Sequence, residues 1–249
     1  MTGEKELFAR LCAAESYSAA IPSQEGIGIY NEKRLHRILK HTLCERESCF
    51  EVKIGKYIAD ICEDGRITEI QCASLAPLRA KLEYYLENTD CHVCVVHPII
   101  VRKKLIRAER ETGEILRIKQ SPKRETLYSA LAALYPIREL LSDARISVRI
   151  MSVEAEEYRY SERTRYRREG KYDADTFPTA LVDALELSRP EDYSRFLPAE
   201  LVGREFCAAE YAPYAKLRGR DIYSALNVLA AVGILSREKL GARVVYRAK

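Results

Sequence analysis

Asp64-Gly65 sits between two apolar stretches, Tyr57–Cys62 and Arg66–Cys72, and it narrows the local geometry sharply. A two-residue loop of this kind closes a type I′ hairpin, because that turn needs positive φ at both central residues. The register follows. Glu63 faces Arg66, Cys62 faces Ile67, Ile61 faces Thr68, and Asp60 faces Glu69. Two carboxylates then meet across the strands with Cβ atoms roughly 4.5–5.5 Å apart, a pairing that destabilises a sheet. A cation between them is the economical explanation, and oxygen ligands suit a hard divalent ion. The alternation puts Gln71 on the face of Glu69, with Ile58, Cys62 and Ile67 as an apolar floor. The alternative is a surface hairpin with solvated carboxylates.

At 249 residues the chain can hold one good core and a small second domain. No apolar run reaches the ~20 residues of a membrane helix, and Met-Thr-Gly-Glu-Lys-Glu at the start lacks a signal-peptide core. A cytoplasmic protein with no membrane partner is expected. The eight cysteines show no scaffold spacing. Cys91-His92-Val93-Cys94 with His97 resembles half a zinc site, but the segment reads as a buried strand in which residues 91 and 94 point to opposite faces. His36, His41, His92 and His97 show no pairing with a nucleophile.

Net charge is only +4, yet basic residues cluster. Arg102, Lys103, Lys104, Lys119 and Lys123 lie in one run, and Arg165, Arg167 and Arg168 in another. Two such runs beside a candidate metal site point to a polyanionic partner, nucleic acid above all.

The order of elements is legible. A short helix over 5–20 precedes a helix from Tyr30, with Asn31 as cap, Glu32 in its first turn and a Leu35, Ile38, Leu39, Leu43 stripe. Strands 48–53, 57–62 and 66–72 form a meander. Ser74 caps a helix to about Leu86, with Pro77 in its first turn, and strand 91–96 returns parallel to the meander's last strand. A basic hairpin over 102–119 turns at Glu111-Thr-Gly-Glu114; a helix over 125–141 and a strand over 145–153 follow. The charged, aromatic run 158–175 reads as a linker between domains at 1–157 and 176–249. The last piece offers helices 210–217 and 221–231, Gly233 as a C-cap, and strands 235–237 and 243–246.

Glu32, then Asp60, then Glu69-Ile70-Gln71, then Lys81 on the following helix, resembles the PD-(D/E)XK nucleases, the restriction-endonuclease-like superfamily. The resemblance covers roughly residues 26–155 and includes the element order. It implies an α/β fold, a mixed sheet flanked by helices, and hydrolysis of phosphodiesters in nucleic acid, with DNA favoured. It also implies Mg²⁺ or Mn²⁺ held by Asp60, Glu69 and the Ile70 carbonyl, with Glu32, Gln71 and Lys81 completing the catalytic set. Two departures stand out. No proline precedes the acid in Gly-Lys-Tyr-Ile-Ala-Asp, which is common in the superfamily. Gln71 occupies the signature lysine's place: some restriction endonucleases of the superfamily use Glu-x-Gln there and remain active, other members have lost the lysine and the activity with it, and in a third case a migrated lysine, here Lys81, is thought to supply the amine. Nucleases of this fold often pair, so a homodimer is an expectation as well.

The C-terminal piece resembles a small winged-helix domain, with 221–231 as recognition helix and 235–246 as wing; Arg220 and Arg243 would then meet nucleic acid. Its apolar helix leaves few polar side chains for base edges. The rival to an active nuclease is a catalytically inactive, nuclease-like DNA-binding regulator or assembly protein, supported by the missing motif lysine. A protein-interaction adaptor is a third reading.

Overall fold

The alternating stretches pair as their turns dictate, and helices cover the sheet that results. In the computed structural model, residues 2–15, 30–109, 112, 114–161, 174–241 and 243–248 are described. The helices are α1 (Thr2–Ala14), α2 (Tyr30–Leu43), α3 (Arg79–Asn88), α4 (Leu127–Ala133), α5 (Ala208–Ala215) and α6 (Arg220–Ala231). The strands are β1 (Phe50–Ile54), β2 (Tyr57–Glu63), β3 (Arg66–Ile70), β4 (His92–Glu109), β5 (Ile115–Gln120), β6 (Ile146–Ser161), β7 (Ala174–Leu187), β8 (Glu205–Phe206), β9 (Leu235–Leu240) and β10 (Arg243–Ala248). The protein is mixed α/β. A seven-stranded mixed sheet runs in the order β1-β2-β3-β4-β6-β7, with β5 on β4, and a three-stranded sheet runs β8-β10-β9. Among the described residues no helix is long and apolar enough to cross a membrane.

The chain divides into two compact units. One comprises Met1–Glu47, Pro98–Glu125 and Met151–Ala184; the other comprises Ser48–His97, Thr126–Ile150 and Leu185–Lys249. In the second unit β1, β2 and β3 form the antiparallel meander, and β3 pairs with β4 in parallel, Ile67 beside Val93 and Glu69 beside Val95. Asp64 and Gly65 take φ of 48° and 77°, as a type I′ turn requires.

Several boundaries differ from the expectation, each for a local reason. The helix anticipated from Ser74 starts at Arg79, because Pro77 falls in a 3₁₀ turn at Ala76–Leu78 and the Ser74 hydroxyl accepts the Ala76 N–H at 3.3 Å. The strand 91–96 and the first arm of the basic hairpin are one strand, β4. Pro98 is tolerated within it where the partner changes: the ladder to β3 ends at Val96 and that to β5 begins at Lys104. The helix expected over 125–141 stops at Ala133 and gives way to a 3₁₀ turn at Tyr135–Ile137, since Pro136 lacks the N–H to continue it. A Thr126–Ser129 capping box sets its start. Tyr158–Ser161 finish β6 and Ala174–Leu187 form β7, so strands enter the stretch read as a linker from both ends; 162–173 lie outside the described residues.

The C-terminal elements appear in the anticipated order, helix, turn, helix, hairpin. Their core is more widely drawn than sequence order suggests. Phe206 stacks on Tyr211 and on Tyr246, while Tyr128, just inside α4, sets its ring edge-on to Phe196 and Tyr211. α4 packs against α6, burying Ala225, Leu226, Val228 and Leu229.

Candidate metal and nucleic-acid site

The second unit gathers most of the anticipated acid site. The hairpin ladder matches the register read from the turn, with Ile61 opposite Thr68, Cys62 opposite Ile67 and Glu63 opposite Arg66. One step beyond it, the Asp60 carboxylate accepts the Ile70 N–H at 2.7 Å. This bond fastens Asp60 across the β2–β3 gap next to Glu69.

Glu69 is 2% exposed. Its Oε2 accepts a hydrogen bond from Lys81 Nζ at 2.6 Å, and its Oε1 accepts one from the Tyr85 hydroxyl at 3.0 Å. Lys81 and Tyr85 are four residues apart on α3, the spacing that sets two side chains on one helix face. Burial and the charge of Asp60 push the Glu69 carboxyl up to about 7, against the opposing pull of Lys81 and Tyr85. Burial and the neighbouring Glu69 raise the Tyr85 phenol far enough that it remains a proton donor at any physiological pH.

Gln71 is a brace. Its Nε2 donates to the Ser74 carbonyl at 3.0 Å, and its backbone N–H donates to the Val96 carbonyl at 2.9 Å. The His97 Nδ1 lies 2.7 Å from the Gln71 carbonyl oxygen. A carbonyl only accepts, so that ring nitrogen carries the hydrogen. His97 is 7% exposed, and Val93 to Val96 are buried beside it, as the core-strand reading of this segment expected.

The apolar floor is only half present. Ile67 is fully buried, Cys62 is partly so, and Ile58 is 53% exposed. α3 reaches Glu69 through Lys81 and Tyr85, while the Ile58 side chain stays open to water. Glu32 falls within α2, but its side chain lies outside the described residues.

Sequence reasoning assigned no role to Tyr85 beyond a place in the apolar stripe. The signal was there: a tyrosine four residues after a lysine aimed at a buried acid. Its hydroxyl needed a partner once buried.

The basic run in the first unit has a different character. Arg102 pairs with Glu154 at 2.9 Å, Lys103 with Glu157 at 2.5 Å, and Lys104 with Glu156 at 3.1 Å. Lys119 and Lys123 are exposed. Arg165, Arg167 and Arg168 lie outside the described residues. In the second unit Arg220 is exposed at the start of α6, and Arg243 lies 3.9 Å from Glu210.

Fold and site together define a mixed α/β protein with a buried acid–lysine–tyrosine cluster on a hairpin and its covering helix. The chain belongs to the family described as "Domain of unknown function (DUF8091)", whose model matches residues 33–188, more than half its length. The matched span holds Asp60, Glu69, Gln71, Lys81 and Tyr85. No curated protein and no solved structure matches the chain.

Proposed function

We propose that the protein is a metal-dependent nuclease of the PD-(D/E)XK type acting on DNA. One observation carries the reading: Lys81 Nζ stands 2.6 Å from Glu69 Oε2, which supports Lys81 as the amine that Gln71 does not supply.

The donor set fits a hard divalent cation. Asp60 and Glu69 are oxygen ligands, and each charge opposes the other, a cost that a cation between them would remove. Asp60, Glu69 and the Ile70 carbonyl would hold Mg²⁺ or Mn²⁺. Such an ion would lower the pKa of a bound water and neutralise charge on the scissile phosphate. The protein's own groups do the rest. Lys81 Nζ, already committed by one N–H to Glu69, has others to offer a non-bridging phosphate oxygen as negative charge grows there. Gln71 holds the β3–α3 connection through Ser74 and carries no titratable group, so it is not the base. Lys119, Lys123 and Arg220 are exposed and available to phosphates, and they would add affinity without sequence choice. Under this reading α5, α6 and the β9–β10 hairpin form a winged-helix module, and two copies pair to cut both strands.

A specific observation favours the rival, an inactive DNA-binding regulator or assembly protein. Both Glu69 oxygens already have donors, as in a closed structural network.

The deciding experiment is plasmid cleavage with Mg²⁺ or Mn²⁺, beside metal titration by calorimetry. Asp60→Ala and Glu69→Ala should each lower cleavage by about 10³-fold or more while leaving DNA binding largely intact. A wild-type chain that binds DNA but neither binds metal nor cuts would hand the case to the inactive regulator.

A further inference from the structure

A carboxylate on a flexible glutamate turns freely unless both its oxygens are held, and Glu69 is held by two groups that differ in kind. Lys81 is an ammonium on a long stem with many rotatable bonds, its side chain 19% exposed. Tyr85 is fully buried and rigid. Its ring is fixed by edge-on contacts to Tyr57 at 6.2 Å and to Tyr84 at 6.5 Å between centroids, and its hydroxyl meets Glu69 Oε1 at 3.0 Å. The Asp60 carboxylate is fixed independently by the Ile70 N–H at 2.7 Å. Each member of the acid pair therefore has one rigid anchor, a backbone amide for Asp60 and a phenol for Glu69.

We propose that Tyr85 is a positioning residue, whose hydroxyl sets the Glu69 carboxylate in the orientation in which it and Asp60 receive a divalent cation. The inference rests on the metal-dependent reading above and assigns to Tyr85 the pre-organisation of the site. Lys81 need not hold Glu69 alone, so its remaining N–H groups are left for a phosphate. A tyrosine suits the task, since two χ angles fix it and its hydroxyl stays protonated beside an acid.

The test is Tyr85→Phe, which removes one oxygen and keeps the ring, with Tyr84→Phe as a control whose hydroxyl does not reach Glu69. Mn²⁺ affinity is measured by calorimetry and the fold by thermal melting and circular dichroism. Tyr85→Phe should bind Mn²⁺ at least tenfold more weakly than wild type and lower kcat with KM for DNA unchanged, while Tyr84→Phe matches wild type in both. Equal Mn²⁺ affinity in wild type and Tyr85→Phe would overturn the role of Tyr85 and leave the nuclease reading standing. Absence of Mn²⁺ binding by wild type itself would remove that reading, and this inference with it. Should Tyr85→Phe fail to fold, the wild-type protein still decides. The buried Tyr85 hydroxyl proton, seen by NMR, should shift when Mg²⁺ is added, and a proton indifferent to bound metal would refute the assignment.

Discussion

Glu157 and Glu69 are both buried, and both have a lysine ammonium within 2.6 Å, yet they are opposite in character. Burial works against ionisation of Glu157, but Lys103 and Arg159 together outweigh it and hold its carboxyl below the ordinary glutamate range. Burial works against Glu69 as well, and there the second neighbour is Asp60, an anion, so the carboxyl is pushed up to about 7. The partner of each lysine is the same residue type. The third group decides. Two cations around one acid make a closed, satisfied knot of a structural kind. Two acids beside one lysine instead oppose each other's ionisation, and the cation proposed above would relieve that opposition.

The comparison predicts opposite phenotypes for the same substitution at the two lysines, and this is the largest effect. Lys103→Met strands Glu157 with Arg159 alone, at a cost of about 3 kcal/mol in stability, the low end for breaking a buried pair. Lys81→Met should cost roughly 1 kcal/mol or less, because a carboxyl that titrates near neutrality takes up a proton once its ammonium is gone. If the proposed nuclease activity holds, cleavage should fall about 10²-fold or more with Lys81→Met. Chemical denaturation beside plasmid cleavage reads both. Equal stability losses at the two sites would erase the distinction.

A smaller effect sharpens the same contrast through pH. The folded-state Glu69 carboxyl titrates about 7, against a reference of 4.5, so between those values the folded protein holds a proton that the unfolded chain has released. Stability from this group is therefore complete below about pH 4.5 and is lost as pH rises through about 7. Glu69→Gln removes the titration and keeps the shape. Its stability relative to wild type should climb by on the order of 2–3 kcal/mol between pH 4.5 and 8, measured by denaturant melts across that range. Glu157 runs the other way: its lowered carboxyl adds stability above the unfolded pKa that disappears as pH falls through the folded one. A Glu157→Gln variant should thus lose ground to wild type as pH rises from acid. Parallel slopes at the two positions would contradict the difference between them.

Local chemistry explains what the sequence made legible. Asp64-Gly65 fixes a turn, the turn fixes a register, and the register puts Asp60 beside Glu69; each step spans at most ten residues. Lys81 entered through the resemblance, and its place beside Leu82 at the edge of the apolar stripe of α3 left its reach to Glu69 for the structure to establish. Tyr85 was harder, since in sequence a tyrosine in such a stripe looks like packing alone. What escaped depends on partners distant along the chain. Nothing near Arg102, Lys103 and Lys104 announces Glu154, Glu157 and Glu156, about fifty residues on, so the run read as an unopposed basic surface. Tyr128 likewise gives no local hint that it will share an aromatic cluster with Phe196 and Tyr211. β4 looked like two strands because Pro98 usually ends one, and only the change of partner at that point makes it harmless.

The smallest prediction concerns an ion pair that neither buried glutamate resembles. Arg102 and Glu154 meet at 2.9 Å, but the arginine side chain is 59% exposed and water screens the pair. Arg102→Ala should therefore change stability by about 0.5 kcal/mol or less. If the first unit also contacts phosphates, the same substitution should lower DNA affinity uniformly across sequences and reduce the salt dependence of binding by about one counterion. Fluorescence anisotropy over a range of salt concentrations separates these outcomes. An unchanged salt slope would mean that Glu154 already satisfies Arg102, as Lys103 satisfies Glu157, and that any phosphate contact of the first unit is made elsewhere, the exposed Lys119 and Lys123 being the first to test. A slope lowered by about one counterion would mean that Arg102 exchanges Glu154 for phosphate when DNA binds.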